Sequence, residues 1–135
     1  MLNYHTVPVT AFEQNCSIVW CDATMEAAVI DPGGDLPRIT AEVVRLSLTL
    51  KAIWLTHAHI DHAGGTAELA RLLQLPIIGP HPGDQFWIDQ LAEQSRMFRF
   101  PPSERFTPTR WLQDGDTVSI GHSTLNVRHC PGHTP

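Results

Sequence analysis

The chain has 135 residues, 42% hydrophobic and 17% charged, with a net charge of −5; this suits one folded domain, or part of one, and excludes a disordered chain. Lys51 is the only lysine and no basic cluster is present, which argues against nucleic acid as a partner. No apolar run is long enough to span a bilayer, the start "MLNYHTVPVT" lacks the features of a signal peptide, and the scattered Cys16, Cys21 and Cys130 form no disulfide framework, so a reducing cytoplasm is the expected compartment.

The first third reads as three strands, over 2–9, 16–21 and 27–34, the last ending at Pro32-Gly33-Gly34. Cys16 and Cys21 are five apart on one strand, so they are expected on opposite faces and unable to pair. Asp35 is placed to cap an amphipathic helix over 36–48, in which Ile39, Val43 and Leu46 recur at helical spacing. An apolar strand follows over 51–56, then a helix over 66–75, a brief buried strand over 76–79 and a short helix over 84–92. The stretch 93–110, with Pro101, Pro102, Pro108 and three phenylalanines, reads as an irregular covering loop. A hairpin over 116–120 and 124–129 turns at Gly121-His122, after a turn at Asp114-Gly115. This alternation predicts an α/β layered domain, in which ligand sites favour the carboxyl ends of strands.

The stretch "THAHIDHAGG" over 56–65 stands at such an end. It holds His57, His59, Asp61 and His62 in six positions, and this register arises by chance with an expectation of roughly 0.0016 in a chain of this composition. Metal binding explains it better. In an extended turn alternate residues point the same way, so His57 and His59 converge on one ion and Asp61 continues the alternation. His62 then points elsewhere, as a second ion a few ångströms away requires. Neutral imidazole suits zinc, iron, nickel or copper, and the carboxylate widens the choice toward iron and manganese. Gly64 and Gly65 either let the backbone turn sharply into the next helix or belong to an ordinary loop, and the two readings are equally compatible with the sequence. Asp31 is either an orienting acceptor for a ligand histidine or a plain turn residue. A third ligand for the first ion must come from elsewhere. His5 falls on a strand, His81 in a loop between prolines and His122 at a hairpin tip, whereas His129 and His133 follow a strand in "HCPGHTP", the kind of rigid turn that presents a ligand.

Together "THAHIDH" and "CPGHTP", with "VIDPGG" before them and "LQDGD" between, resemble the metallo-β-lactamase superfamily, and its glyoxalase II branch in particular; "VTAFEQNCSIVW" and "QSRMF" are similar to its short bacterial YcbL type. The resemblance implies the N-terminal part of an αββα sandwich, with the chain as a single domain over 1–135 that is incomplete at its C-terminus. It implies a two-metal site in which His57, His59 and His133 bind the first ion while Asp61 and His62 bind the second, with His129 a neighbour. Zinc, as one or two ions, is the expected cofactor, with iron or manganese as substitutes. Asp61 is also expected to orient the nucleophile. A bridging aspartate and a last histidine of the family fall beyond Pro135. The implied activity is hydrolysis of a small-molecule thioester such as a hydroxyacylglutathione. The competing readings are an iron-dependent enzyme resembling the persulfide dioxygenases and an inactive metal-binding fragment. No oligomeric state is assigned.

Overall fold

The computed structural model describes residues 2–131 and 133. Its main sheet is formed by β1 (Leu2–Val9), β2 (Gln14–Cys21), β3 (Glu26–Ile30), β4 (Thr49–Trp54) and β5 (Ile77–Ile78), side by side in that order. The first three are antiparallel neighbours, and β3, β4 and β5 run parallel. Parallel neighbours need a crossover. Helix α1 (Leu36–Arg45) supplies one between β3 and β4, and α2 (Ile60–Ala63) with α3 (Thr66–Leu73) supplies the next. After β5 come a 3-10 turn (Pro82–Asp84), α4 (Gln85–Asp89) and α5 (Leu91–Met97). A two-stranded sheet of β6 (Thr117–Ile120) and β7 (Ser123–Asn126) closes the described fold.

Both faces of the main sheet are covered, and the strand alternation decides which residue meets which layer. Cys16, Ile18, Ala27, Val29, Ile53 and Leu55 pack with Leu36, Ile39, Leu69, Ile88 and Leu91 on the helical side. Val19, Ala28, Ala52 and Trp54 pack with Leu112, Val118 and Ile120 beneath the hairpin. The arrangement is helices, then sheet, then a second sheet, as expected for the first part of an αββα sandwich. Cys16 lies in the helix-side core, while Cys21 lies under the hairpin tip, where the His122 amide approaches its Sγ at 3.4 Å. The two cysteines are thus on opposite faces.

Several boundaries differ from the sequence expectation. β3 stops at Ile30 because Asp31 turns to φ 57°. Helix α1 ends at Arg45 rather than 48, and Ser47 takes a positive φ. Asp35 stands at the N-cap position, yet its side chain does not cap the helix; Oδ2 instead accepts the Thr10 amide at 2.7 Å, tying the β1–β2 turn to the start of α1. The helix read over 84–92 is two helices, and α5 continues to Met97 into the segment read as irregular, because Leu91, Gln94 and Ser95 present one buried face. The remaining covering segment packs Phe100 and Phe106 against the core.

The glycines after the histidine cluster serve packing, not rotation. Gly64 and Gly65 have ordinary negative φ values of −61° and −94°. A Cβ on Gly64 would lie 2.7 Å from Gly33 O, and one on Gly65 would lie 2.6 Å from Pro32 O. The turns over 31–34 and 60–65 meet backbone to backbone. Gly33 is the tightest point, since a Cβ there would sit 1.7 Å from Asp61 O. Gly33→Ala must push the two turns apart; the expected cost is about 1–3 kcal/mol or more, typical of overpacking. Thermal denaturation checks this as a clear fall in midpoint, and an unchanged midpoint would show that the contact is not needed.

Candidate metal centre

Strand β4 delivers the cluster at its carboxyl end, one residue after Trp54-Leu55-Thr56 leaves the sheet. Ala58 and Ile60 are buried in the helix-side core, so His57 and His59 face the opposite way, as alternation predicts. From Ile60 onward the expectation fails. Residues 60–63 form a helical turn, with His59 at its N-cap position. Asp61 therefore does not continue an extended alternation. It stands beside His62, with Oδ2 3.5 Å from His62 Nε2.

The structure brings His57, His59 and His133 together, with one ring nitrogen of each within 4.8 Å of the others. Their ring centroids are 4.7 to 5.0 Å apart and the planes are nearly perpendicular, at 80° to 87°. A tetrahedral ion bound at 2.0–2.1 Å holds its ligand atoms about 3.3 Å apart, a spacing this triad accommodates. His129 is not in the triad. It stacks on His81 at 3.8 Å and 6°, and its amide donates to Asp114 Oδ1. His5 is on the surface, 3.3 Å from Glu42, and His122 is exposed at the hairpin tip.

Asp31 is the hub of the hydrogen bonding. Its backbone carbonyl accepts Gln14 Nε2 at 2.8 Å. Its carboxylate, 4% exposed as a residue, accepts the Thr56 amide on Oδ1 at 2.8 Å; Oδ2 accepts the Thr56 hydroxyl at 2.5 Å and His62 Nδ1 at 2.9 Å. The orienting role thus prevails over the plain turn role. With its proton committed to Asp31, Thr56 Oγ1 can only accept from His57 Nδ1, 3.0 Å away. The Nε2 lone pairs of His57 and His62 are thereby set free. Among the described residues His57 Nε2 is buried without a hydrogen-bond partner. A buried lone pair left open beside two further imidazoles is the donor chemistry that a divalent ion satisfies, so these residues fit a metal. Asp31 also falls within ligand distance of His57 and His62, but its bonds to Thr56 and His62 mark it as their orienting acceptor.

Electrostatics agree. Burial, then the neighbouring His62, push the pKa of His57 down to about 4. Burial and His133 also lower that of His59. For His62, burial opposes the charged form, but the hydrogen bond to Asp31 and the charges of Asp31 and Asp61 outweigh it and the pKa is raised. In metal-free protein, imidazole nitrogen NMR should show His57 as the Nδ1–H tautomer, neutral down to about pH 4, with His62 titrating above its ordinary value of 6.5. The stability effects have opposite signs. The His57 contribution is lost as pH falls from 6.5 toward 4, because the unfolded chain takes up that proton first. The His62 contribution is present below 6.5 and lost as pH rises through its folded pKa. A single shared titration for both rings would contradict the network.

Thr56, Asp84 and Gln94 were not visible as site residues in the sequence. Thr56 had a local signal, its place next to His57. The other two come from 26 and 34 residues farther along; Gln94 opens "QSRMF", a stretch that carries the family resemblance but gives no role to the glutamine, and Asp84 has no motif around it.

The sequence pattern of the metallo-beta-lactamase superfamily matches residues 9–135. Hydroxyacylglutathione hydrolase GloC of Haemophilus influenzae is 39% identical over 135 residues, covering 99% of this chain and 63% of its own length. The hydroxyacylglutathione hydrolase of Bdellovibrio bacteriovorus is 33% identical, covering 96% and 45%. Among solved structures, the BLEG-1 B3 metallo-beta-lactamase superposes with a TM-score of 0.84 at 30% identity, over 98% of this chain and 64% of its own. TTHA1623 in a di-iron-bound form gives 0.82 at 29%, over 96% and 62%. The chain thus spans less than two thirds of the length of these relatives. Among the described residues no helix is long and apolar enough to cross a membrane. With a family match over nearly its whole length and the fold to go with it, the chain belongs to the metallo-β-lactamase superfamily, in its glyoxalase II-like branch.

Proposed function

We propose that this chain is the metal-binding portion of a hydrolase that, in the whole protein, cleaves small-molecule thioesters of the hydroxyacylglutathione type. One observation carries the reading: three imidazoles meet around an open lone pair in a chain 39% identical to a hydroxyacylglutathione hydrolase. His57, His59 and His133 are the proposed ligands of a first ion, and Asp61 and His62 of a second. Zinc fits this set best, and iron or manganese also suits it. A bound divalent ion would acidify water to near neutrality and polarise a carbonyl.

The protein's own residues prepare that chemistry. Asp31, directly and through Thr56, holds the protons of His62 and His57 on Nδ1 and keeps both Nε2 atoms open. Asp61 supplies a carboxylate oxygen beside His62, suited to accept a hydrogen bond from the attacking water and so orient it. A leaving thiol with a reference pKa of about 8.5 departs as thiolate without a strong acid, and the reading assigns none. A cytoplasmic setting belongs to the same reading, supported by cysteines that face opposite sides of the sheet.

Iron marks a second reading, because TTHA1623, at 29% identity, is described in a di-iron-bound form. It would make the whole protein an oxygen-dependent enzyme resembling the persulfide dioxygenases. The test is thiol release from S-lactoylglutathione by the metal-loaded whole protein under anaerobic conditions, alongside oxygen uptake with a glutathione persulfide. Anaerobic thiol release supports the hydrolase. Oxygen uptake alone supports the iron enzyme, and neither activity leaves a metal-binding module.

A further inference from the structure

Between the candidate ligands lie two backbone amides that no strand or helix partner uses. Ala58 N donates to Asp84 Oδ2 at 3.0 Å, and Ile60 N donates to Gln94 Oε1 at 3.0 Å. Ile60 opens α2, so its amide is among those that a helix leaves without an internal partner. Asp84 and Gln94 are 1% and 6% exposed, on the segment that also carries the core residues Ile88 and Leu91. Polar groups are costly to bury unless bonded, and apolar side chains would serve the core alone better. Gln94 has a further link. Its Nε2 donates to Trp87 O at 3.0 Å, and the Trp87 indole meets the His59 ring edge to face at 4.7 Å and 82°.

We propose that Asp84 and Gln94 are positioning residues for the metal centre: by accepting the Ala58 and Ile60 amide hydrogens they fix the peptide planes that carry His57 and His59. In this extended stretch the side chains of 57 and 59 face the ion while the amides of 58 and 60 are held from the segment over 82–97. Two anchors two residues apart fix both the height and the tilt of the ligand loop. Through Trp87, Gln94 also restrains the ring of His59. The inference rests on His57 and His59 being ligands.

The test is titration of the full chain with cobalt(II), read as visible absorption and as a dissociation constant, together with the thermal midpoint of the metal-free protein. Asp84→Ala and Gln94→Met, the latter removing both bonds at similar volume, should raise the dissociation constant about 10–100-fold, as loss of an outer partner of a metal site does, and should shift the visible bands. Asp84→Asn keeps an acceptor oxygen and should restore the wild-type spectrum. A purely structural role would lower the midpoint and leave affinity and bands unmoved, which overturns the proposal. Failure of either variant to fold without metal also overturns it for that residue, which then holds the core and not the loop. Wild-type protein that binds no cobalt would refute the ligand reading itself, whereas wild-type binding with unaffected variants refutes only the positioning.

Discussion

Replacing His57, His59 or His133 by alanine is expected to abolish tight binding of one equivalent of divalent metal. Each removes one of three convergent imidazoles, and a site with two remaining protein donors no longer fixes a tetrahedral ion. The three variants should behave alike although His133 lies 74 positions beyond His59, because the geometry joins them and not the sequence. His57→Ala should have a second effect. It removes a ring that touches both His62, at 4.0 Å, and Thr56, so it should also disturb any metal held at His62. His122→Ala is the control: it lies at the hairpin tip, away from the triad, and metal content should not change. Elemental analysis of each purified variant checks the set. Full metal in all three triad variants would remove the assignment, and loss in His122→Ala would show that a different histidine completes the site.

The second large effect is expected at Asp31. Asp31→Ala strips partners from the Thr56 amide, the Thr56 hydroxyl and His62 Nδ1 at once. Leaving one buried donor unsatisfied costs about 1–3 kcal/mol, so the variant should be clearly destabilised. It should also bind metal more weakly, by about 10–100-fold, since both His57 and His62 lose the constraint on their proton. Asp31→Asn separates the two effects. It keeps the volume and one acceptor oxygen, but its amide NH2 faces a donor whichever way it is turned, so stability should recover in part while metal affinity stays low. Denaturant unfolding and metal titration measure them in parallel. Wild-type affinity in Asp31→Asn would show that the carboxylate serves the turn alone.

How far the site could be read from the sequence depends on how local each contact is. The ligand stretch was legible because strand alternation places His57 and His59 on one side, and because buried Ala58 and Ile60 confirm the period. Alternation is a property of extended chain, and it misled at Asp61, where the backbone had already entered a helical turn. For the glycines after it the sequence allows a sharp turn or an ordinary loop, and their φ values are ordinary. What selects them is the approach of the 31–34 turn from another part of the chain. Asp35 likewise had the right position for a cap but an outside partner, Thr10, claims its carboxylate. Asp31 is a candidate orienting acceptor from its place before "PGG", but its actual partners, like the anchoring residues Asp84 and Gln94, are the least visible. Asp31 reaches Thr56 across 25 positions and Gln94 reaches Ile60 across 34, and no periodicity encodes such contacts. At the level of the fold, the order of the strands agrees with the sequence expectation, while helix α2 and the continuation of α5 to Met97 are additions. Boundaries moved where a positive φ ended an element, as at Asp31 and Ser47.

In the proposed site, imidazoles from two distant segments enclose a common divalent ion. The most direct measurement is a cobalt(II) titration of the chelator-treated chain, with wild type and a His57→Ala/His59→Ala/His133→Ala triple variant side by side. Wild type should show the saturable visible absorption of a low-coordinate site, and the triple variant none. Identical titrations for the two proteins, or no response from the wild type, would contradict the shared site.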